Sequence, residues 1–168
     1  TQSAGLVKSP PNPSGRPDVV VNNAAFVRDR MSVNAAEDEW DAVLRVHLKG
    51  HFCLARHAAE HWRNESKAGR QPDARIVNTS SGAGLQGSDG QSAYSAAKAA
   101  IATLTLVQAV ELARYGVTAN AIAPGIIGPN ANLSPMYERM VKRVAMQTEG
   151  QPEDVANAIA FLCSERAR

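Results

Sequence analysis

Hydrophobic and polar positions divide the chain into short apolar runs and long periodic segments. Val19-Val20-Val21 is a β-branched run bounded by Asp18 and by Asn22-Asn23, the pattern of a strand buried on both faces, and it predicts a strand at 18–22. From Asn34, with Glu37 three residues on as an N-terminal signature, the residues Trp40, Leu44, Leu48, Phe52, Ala55, Ala59 and Trp62 fall on one helical stripe. An amphipathic helix running to about residue 63 is expected there, ended by the polar stretch Asn64 to Asp73. Arg75-Ile76-Val77-Asn78-Thr79 predicts a second strand, and a Ser/Gly-rich loop runs from Ser80 to Gly90. The alanine-rich segment Ser92 to Tyr115 has high helix propensity, with Ile101, Leu104, Val107 and Leu112 as its apolar positions and Gly116 at its close. A third strand follows at Val117 to Ile122, then a Met-containing helix at about 135–146. A last helix starts at Pro152, with Val155, Ile159 and Leu162 facing inward.

Strand, helix, strand, helix, strand, helix is the order of an α/β fold, a doubly wound parallel sheet covered on both faces by right-handed crossovers. Residues 1–17 hold four of the nine prolines and form an expected tail or linker, leaving one domain at 18–168. Ligands of such sheets sit at the carboxyl ends of the strands. Asn22 to Ala25, Ser80 to Gly87 and Pro124 to Ile127 are therefore the segments to inspect.

Composition narrows the chemistry. The 168 residues are 44% hydrophobic, enough for a sizeable core, and 18 Lys+Arg against 16 Asp+Glu leave a net charge of +2. Without a basic stripe and with 5% aromatic residues, a nucleic-acid surface is not expected. No apolar run approaches the roughly 18 residues of a membrane span, and the N-terminus lacks a signal peptide's pattern, so a cytoplasmic protein without a membrane partner is expected. Cys53 and Cys163 stand far apart outside any CxxC, the expectation being buried, inert thiols. A small-molecule substrate is the better prospect.

Tyr94 and Lys98 are four residues apart, on one face of the predicted helix, where the ammonium lies near the phenol and favours its ionised form. A free tyrosine, with a pKa of about 10, is a poor general base at neutral pH without such a cation. Thirteen residues before Tyr94, Ser81 brings a hydroxyl toward the same point. Taken alone, Tyr-x-x-x-Lys is equally an ordinary surface pair. Its companions decide the reading: Asn22-Asn23-Ala24-Ala25 after the first strand and Asn120-Ala121-Ile122-Ala123-Pro124-Gly125 after the third.

With these four motifs in order, residues 18 to 166 resemble the short-chain dehydrogenase/reductase family. The resemblance implies a Rossmann-like fold, present as its C-terminal portion with the first strands and the last strand missing. It also implies an oxidoreductase that interconverts a secondary alcohol and a ketone with NAD or NADP. In that reading Tyr94 is the general acid/base, Ser81 stabilises the reacting oxygen, and Lys98 acts on the tyrosine and binds the nicotinamide ribose. Asn23, Ala24 and Ala25 line the adenosine side of the cofactor, and Pro124, Gly125 and Ile127 flank the nicotinamide. His47 stands where most members carry an asparagine that relays protons through a water. With Arg28-Asp29-Arg30 it is similar to the (3R)-hydroxyacyl-CoA dehydrogenase units of multifunctional beta-oxidation enzymes and their actinobacterial relatives. That likeness implies a 3-hydroxyacyl-CoA or hydroxysteroid-like substrate, with the segment Asn130 to Met146 as its lid.

Departures from the family pattern are Ala25 in place of glycine, Pro129 in place of threonine, and the lack of a phosphate-binding Thr-Gly-x-x-x-Gly-x-Gly before Asp18. A fragment that binds NAD(P) weakly and turns over poorly by itself is the resulting expectation. Nothing in the sequence chooses NAD over NADP. Dimer or tetramer contacts through helices 37–63 and 92–115 are implied by the family, and a catalytically dead interaction module built on those helices is the alternative. Two further motifs point elsewhere. Gly82-Ala83-Gly84-Leu85-Gln86-Gly87 fits GxGxxG but lacks the acidic residue about 20 positions on. His57-Ala58-Ala59-Glu60-His61 fits the HxxEH of a zinc peptidase. All four histidines lie within about 120° of arc on one predicted helix, and a solvated face is expected for them rather than a metal site.

Overall fold

A computed structural model describes residues 17–128 and 135–167, the side chains of 135 and 136 excepted. Three strands form a parallel sheet in sequence order: β1 (Val19–Asn22), β2 (Ala74–Thr79) and β3 (Val117–Ile122). The register sets Val20 beside Ile76 and Ile76 beside Ala119. Helix α1 (Glu37–Leu44) runs through a π-turn (Arg45–Lys49) into α2 (Gly50–Lys67); α3 (Gly82–Gln86) and α4 (Ser92–Leu112) follow β2. After β3 come α5 (Pro135–Arg143) and α6 (Pro152–Cys163).

The pleat of β2 distributes its side chains to two layers. Ile76 packs with Ala55, Ala58 and Trp62 of α2, and Asn78, two residues on, bonds to α4. Arg75 points the other way, toward Cys163 at the end of α6. All six residues of β2 are buried, as a central strand requires. β1 is buried only at Val20 and Asn22; Val19 and Val21 are 45% and 39% exposed, so the expectation of burial on both faces fails for this edge strand.

The inward stripe of the long helix is also corrected. Val43, His47, His51, Ala55, Ala58 and Trp62 face the interior, whereas Trp40 and Phe52 are 37% and 48% exposed. A π-turn holds its residues with one extra residue per hydrogen-bonded ring, which rotates the faces on either side of it relative to a continuous α-helix. Half of the expected solvated histidine face is thus buried: His47 and His51 lie inside, while His57 and His61 are half-buried. On α4 the buried positions are Ala93, Ala97, Lys98, Ile101, Thr105 and Gln108, and Val107 is exposed.

The helix Ser92–Tyr115 is, by length and composition, apolar enough to cross a membrane, contrary to the sequence expectation, because its alanines raise the mean hydropathy to 1.4. It is the core helix of this fold: Lys98, Thr105 and Gln108 are buried on its inner face and hydrogen-bond to β2. The cysteines are half-buried rather than buried, and burial raises the Cys163 thiol pKa. Residues 1–16 of the predicted tail 1–17, together with Pro129 and residues 130–134 of the expected lid, lie outside the described residues. Of the methionines in the expected lid, Met140 and Met146 are exposed.

Candidate active site

The carboxyl ends of the three strands gather the suspected residues. Ser80, just past β2, donates its backbone N–H to the Ile122 carbonyl at 2.7 Å, and Gly82 donates to the Pro124 carbonyl at 3.0 Å. These bonds hold the Ser81 rim against the Pro124-Gly125 rim. On the other side, the Thr79 hydroxyl donates to Asn23 Oδ1 at 3.0 Å, tying β2 to the loop after β1. Asn23, Ala24, Ala25 and Gly125 are exposed, and Pro124 and Ile127 are half-buried, so the rim is open to a ligand.

Lys98 lies inside this end of the sheet with 1% of its surface exposed. Its ammonium donates to the Thr79 carbonyl at 2.6 Å and sits 5.5 Å from the centre of the Tyr94 ring. Burial pushes its pKa down from 10.5 to about 8. Two of its three N–H bonds have no acceptor among the described residues. Two backbone contacts fix where the lysine starts: Ser80 Oγ donates to the Lys98 carbonyl at 2.8 Å, and Gly84 of α3 packs directly on the same peptide. A Cβ on Gly84 would stand 2.7 Å from the Lys98 carbonyl carbon. The GxGxxG run is therefore a short helix whose glycine allows close packing on α4; it is not the turn that opens a dinucleotide fold.

His47 occupies the π-turn, fully buried, edge-on to Tyr94 with ring centres 5.2 Å apart. Its Nε2 is 2.7 Å from the Phe26 carbonyl and 3.2 Å from the Phe26 nitrogen. The shorter contact assigns the proton to Nε2, donating to the carbonyl, which leaves Nδ1 a bare acceptor without a protein partner. Burial lowers the His47 pKa, the Phe26 carbonyl acts against that, and the Lys98 charge adds to it. His51, one turn on, is held at about 4 by burial and by the same ammonium.

Ser81 caps α3: its Oγ accepts from Ala83 N–H at 3.2 Å, and its own hydroxyl hydrogen remains available to a ligand. The structure thus brings Tyr94, Lys98 and His47 into one cluster and sets Ser81 on the adjoining rim, with its hydroxyl bonded to Ala83 N–H.

Sequence reasoning missed the buried amide ladder beneath the site. Asn22 Nδ2 donates to Asn78 Oδ1 at 2.9 Å, and Asn78 Nδ2 donates to Thr105 Oγ1 and Gln108 Oε1, both at 2.9 Å. The signal was available in two asparagines at the same register of neighbouring strands. The HxxEH residues gain no support, since no three His, Cys, Asp or Glu side chains come together as a metal-holding group among the described residues.

A family model described as enoyl-(acyl carrier protein) reductase matches residues 2–168. The chain is 55% identical over 153 residues to hydroxyacyl-CoA dehydrogenase ChsB1 of Mycobacterium tuberculosis, covering 89% of this chain and 48% of that protein. It is 37% identical over 167 residues to the 3-oxoacyl-(acyl-carrier-protein) reductase FabG of Staphylococcus aureus, covering 97% and 65%. Among solved structures it matches a short chain dehydrogenase from Mycobacterium avium with a TM-score of 0.83 and 52% identity, covering 99% of this chain and 54% of that one. NAD+-bound xylitol dehydrogenase gives 0.85 and 26%, covering 98% and 69%. The chain spans about half the length of the two mycobacterial relatives. Motif order, strand-end geometry and these matches converge: the chain belongs to the short-chain dehydrogenase/reductase family.

Proposed function

We propose that the protein interconverts a secondary alcohol and a ketone with NAD or NADP, and that its substrate is a 3-hydroxyacyl or 3-oxoacyl thioester of CoA. The observation that carries the reading is a buried ammonium, that of Lys98, set against the ring of Tyr94 at the strand ends. A lysine is buried against its own solvation only where something compensates it, and functional sites are where such groups concentrate. The substrate class is supported by the name of the M. tuberculosis relative.

The residues present fit the nicotinamide end of the cofactor. Lys98 has two unfilled N–H donors for ribose hydroxyls, Asn23 to Ala25 offer an exposed adenosine-side rim, and Pro124, Gly125 and Ile127 form the facing edge. When bound, the cofactor supplies or accepts the hydride. Ser81 donates its free hydroxyl hydrogen to the substrate oxygen, and Tyr94 exchanges the proton at that oxygen. Lys98 places its positive charge over the tyrosine ring, 5.5 Å from its centre, while the phenol's proton is away. His47 offers Nδ1 as the acceptor through which that proton is passed on, its other nitrogen being held by Phe26.

A second copy of the chain is the proposed partner, docking on α2 and α4. Their exposed surface carries Phe52, Leu106 and Val110 beside an open groove of about 750 Å³ in which Arg56, Glu60, Arg63 and Glu111 alternate in charge.

The test is nicotinamide absorbance in the intact protein with acetoacetyl-CoA and NADH or NADPH. Wild type is expected to consume the reduced cofactor, and Tyr94→Phe to lose at least about 100-fold in rate. A Tyr94→Phe enzyme with the wild-type rate refutes the assignment.

A further inference from the structure

Between β1 and α1 the chain carries two arginines in opposite circumstances. Arg30 is committed to the fold: its backbone N–H donates to the Gly90 carbonyl at 2.8 Å and its guanidinium meets Glu39 at 3.4 Å. Next to it, Asp29 accepts a hydrogen bond from the Gln91 side chain at 3.1 Å. These contacts stitch the loop onto the segment that lies between Ser81 and Tyr94, so the loop borders the place where a substrate carbonyl would lie.

Arg28 is exposed, and its guanidinium donates only to the carbonyl of its own neighbour Val27, at 3.1 Å. No carboxylate pairs with it among the described residues. It is nevertheless held in place. The guanidinium carbon sits 5.0 Å from the centre of the Phe26 ring, Phe26 stacks on His47 at 5.9 Å and 21°, and His47 meets Tyr94 at right angles with ring centres 5.2 Å apart. With Lys98 over Tyr94, a cation, three rings and a second cation form one column from the surface to the phenol. A guanidinium seated over an aromatic face presents N–H donors at its rim, and their fork matches the two oxygens of a phosphate or a carboxylate.

We propose that Arg28 is a specificity-determining residue that grips an oxyanion on the tail of the substrate whose carbonyl is handled by Ser81 and Tyr94. This rests on the proposed function for the position of the reacting end and adds the point at which the far end is held. The oxyanion has two sources: the phosphate of a CoA-type arm, or a carboxylate at the end of the acyl chain.

The test is calorimetric binding to the intact protein, independent of turnover. Three ligands are compared: acetoacetyl-CoA, acetoacetyl-N-acetylcysteamine, which keeps the thioester and lacks phosphate, and a 3-oxo-dicarboxylic acyl-N-acetylcysteamine, which adds only a terminal carboxylate. Wild type is expected to bind one of the anionic esters about tenfold more tightly than the neutral one, and the preferred ester names the source. Arg28→Ala is expected to erase that preference. Arg28→Lys restores part of it, since lysine keeps the charge without the fork. Unchanged thermal midpoints establish that both variants are folded. Absence of any preference or of binding in wild type, a preference that survives Arg28→Ala, or an effect of Arg28→Ala on NADH affinity with none on the esters overturns the proposal. A protein that binds with the expected preference but turns nothing over refutes the proposed function and leaves the Arg28 assignment standing.

Discussion

Replacing Lys98 by methionine should make this protein more stable and less useful. The ammonium is almost fully buried, and burial takes its pKa from 10.5 to about 8. A gap of about 2.5 pH units at roughly 1.4 kcal/mol each means that the native state carries about 3–4 kcal/mol of unfavourable charge burial when both folded and unfolded chains are protonated. The sign follows from proton binding. Between pH 8 and 10.5 the unfolded chain still holds the proton that the folded chain has released, so wild-type stability rises with pH across that window. Below pH 8 the full cost is present. Methionine has a similar length and no charge, so Lys98→Met removes the cost and gives up the hydrogen bond to the Thr79 carbonyl, worth about 1 kcal/mol. A net gain of about 2–3 kcal/mol at pH 7 corresponds to roughly 4–12 °C in thermal midpoint for a chain of this size. Circular dichroism melts of both proteins at pH 7 and pH 10.5 check it. The gain should shrink at high pH, where wild type has shed its proton. A variant that is less stable at pH 7, or a difference that stays constant with pH, refutes the reasoning.

Other substitutions test neighbouring claims. His51 has a folded pKa near 4 against 6.5 in the unfolded chain, so its contribution is complete above pH 6.5 and is lost as pH falls toward 4. Urea midpoints at pH 7.5 and pH 5 should show wild type losing about 2 kcal/mol more than His51→Leu. Gly84→Ala forces a methyl into the Lys98–Ala99 peptide and should cost about 1–3 kcal/mol by urea unfolding, with a loss of activity as Lys98 shifts. Asn78→Leu leaves Gln108 Oε1 without its donor and Asn22 Nδ2 with only a long 3.5 Å contact to the His51 carbonyl, while Thr105 keeps its bond to the Ile101 carbonyl. At about 1–3 kcal/mol for each orphaned group, it should be the most destabilising of the set in the same assay.

The three strands were legible because each is a short β-branched run closed by turn residues, and their ends fell within a residue of the expected positions. Tyr94 and Lys98 were legible for a different reason: four-residue spacing on a helix fixes a shared face whatever the helix packs against. The inward face of the α1–α2 helix was legible in part: Ala55 and Trp62 are buried and Leu44 packs against the core as expected. Placing Trp40 and Phe52 inside assumed that large apolar residues go inside and that the helix keeps one period. The π-turn breaks the period at Arg45–Lys49, and the buried places go to His47 and His51, which propensity assigns to the surface. Helix α3 was missed because Gly82 and Gly84 are poor helix formers; the Ser81 cap and close packing on α4 override propensity there.

That misreading and the site have one cause. A core of this size would ordinarily be sealed with aliphatic side chains at the strand ends, yet the interior there holds Lys98, His47 and His51 with no buried carboxylate among the described residues to neutralise them. All three have pKa values pushed down, so near neutral pH the cluster bears essentially one positive charge, on Lys98, beside two neutral imidazoles. Such a pocket is poorly satisfied by itself: two ring nitrogens and two ammonium hydrogens lack protein partners. It is completed by whatever brings negative charge and hydrogen-bond acceptors to the strand ends, which an oxyanion forming at Tyr94 or the hydroxyls of a ribose would do. Positions where patterning fails are the positions at which local stability has been exchanged for that readiness.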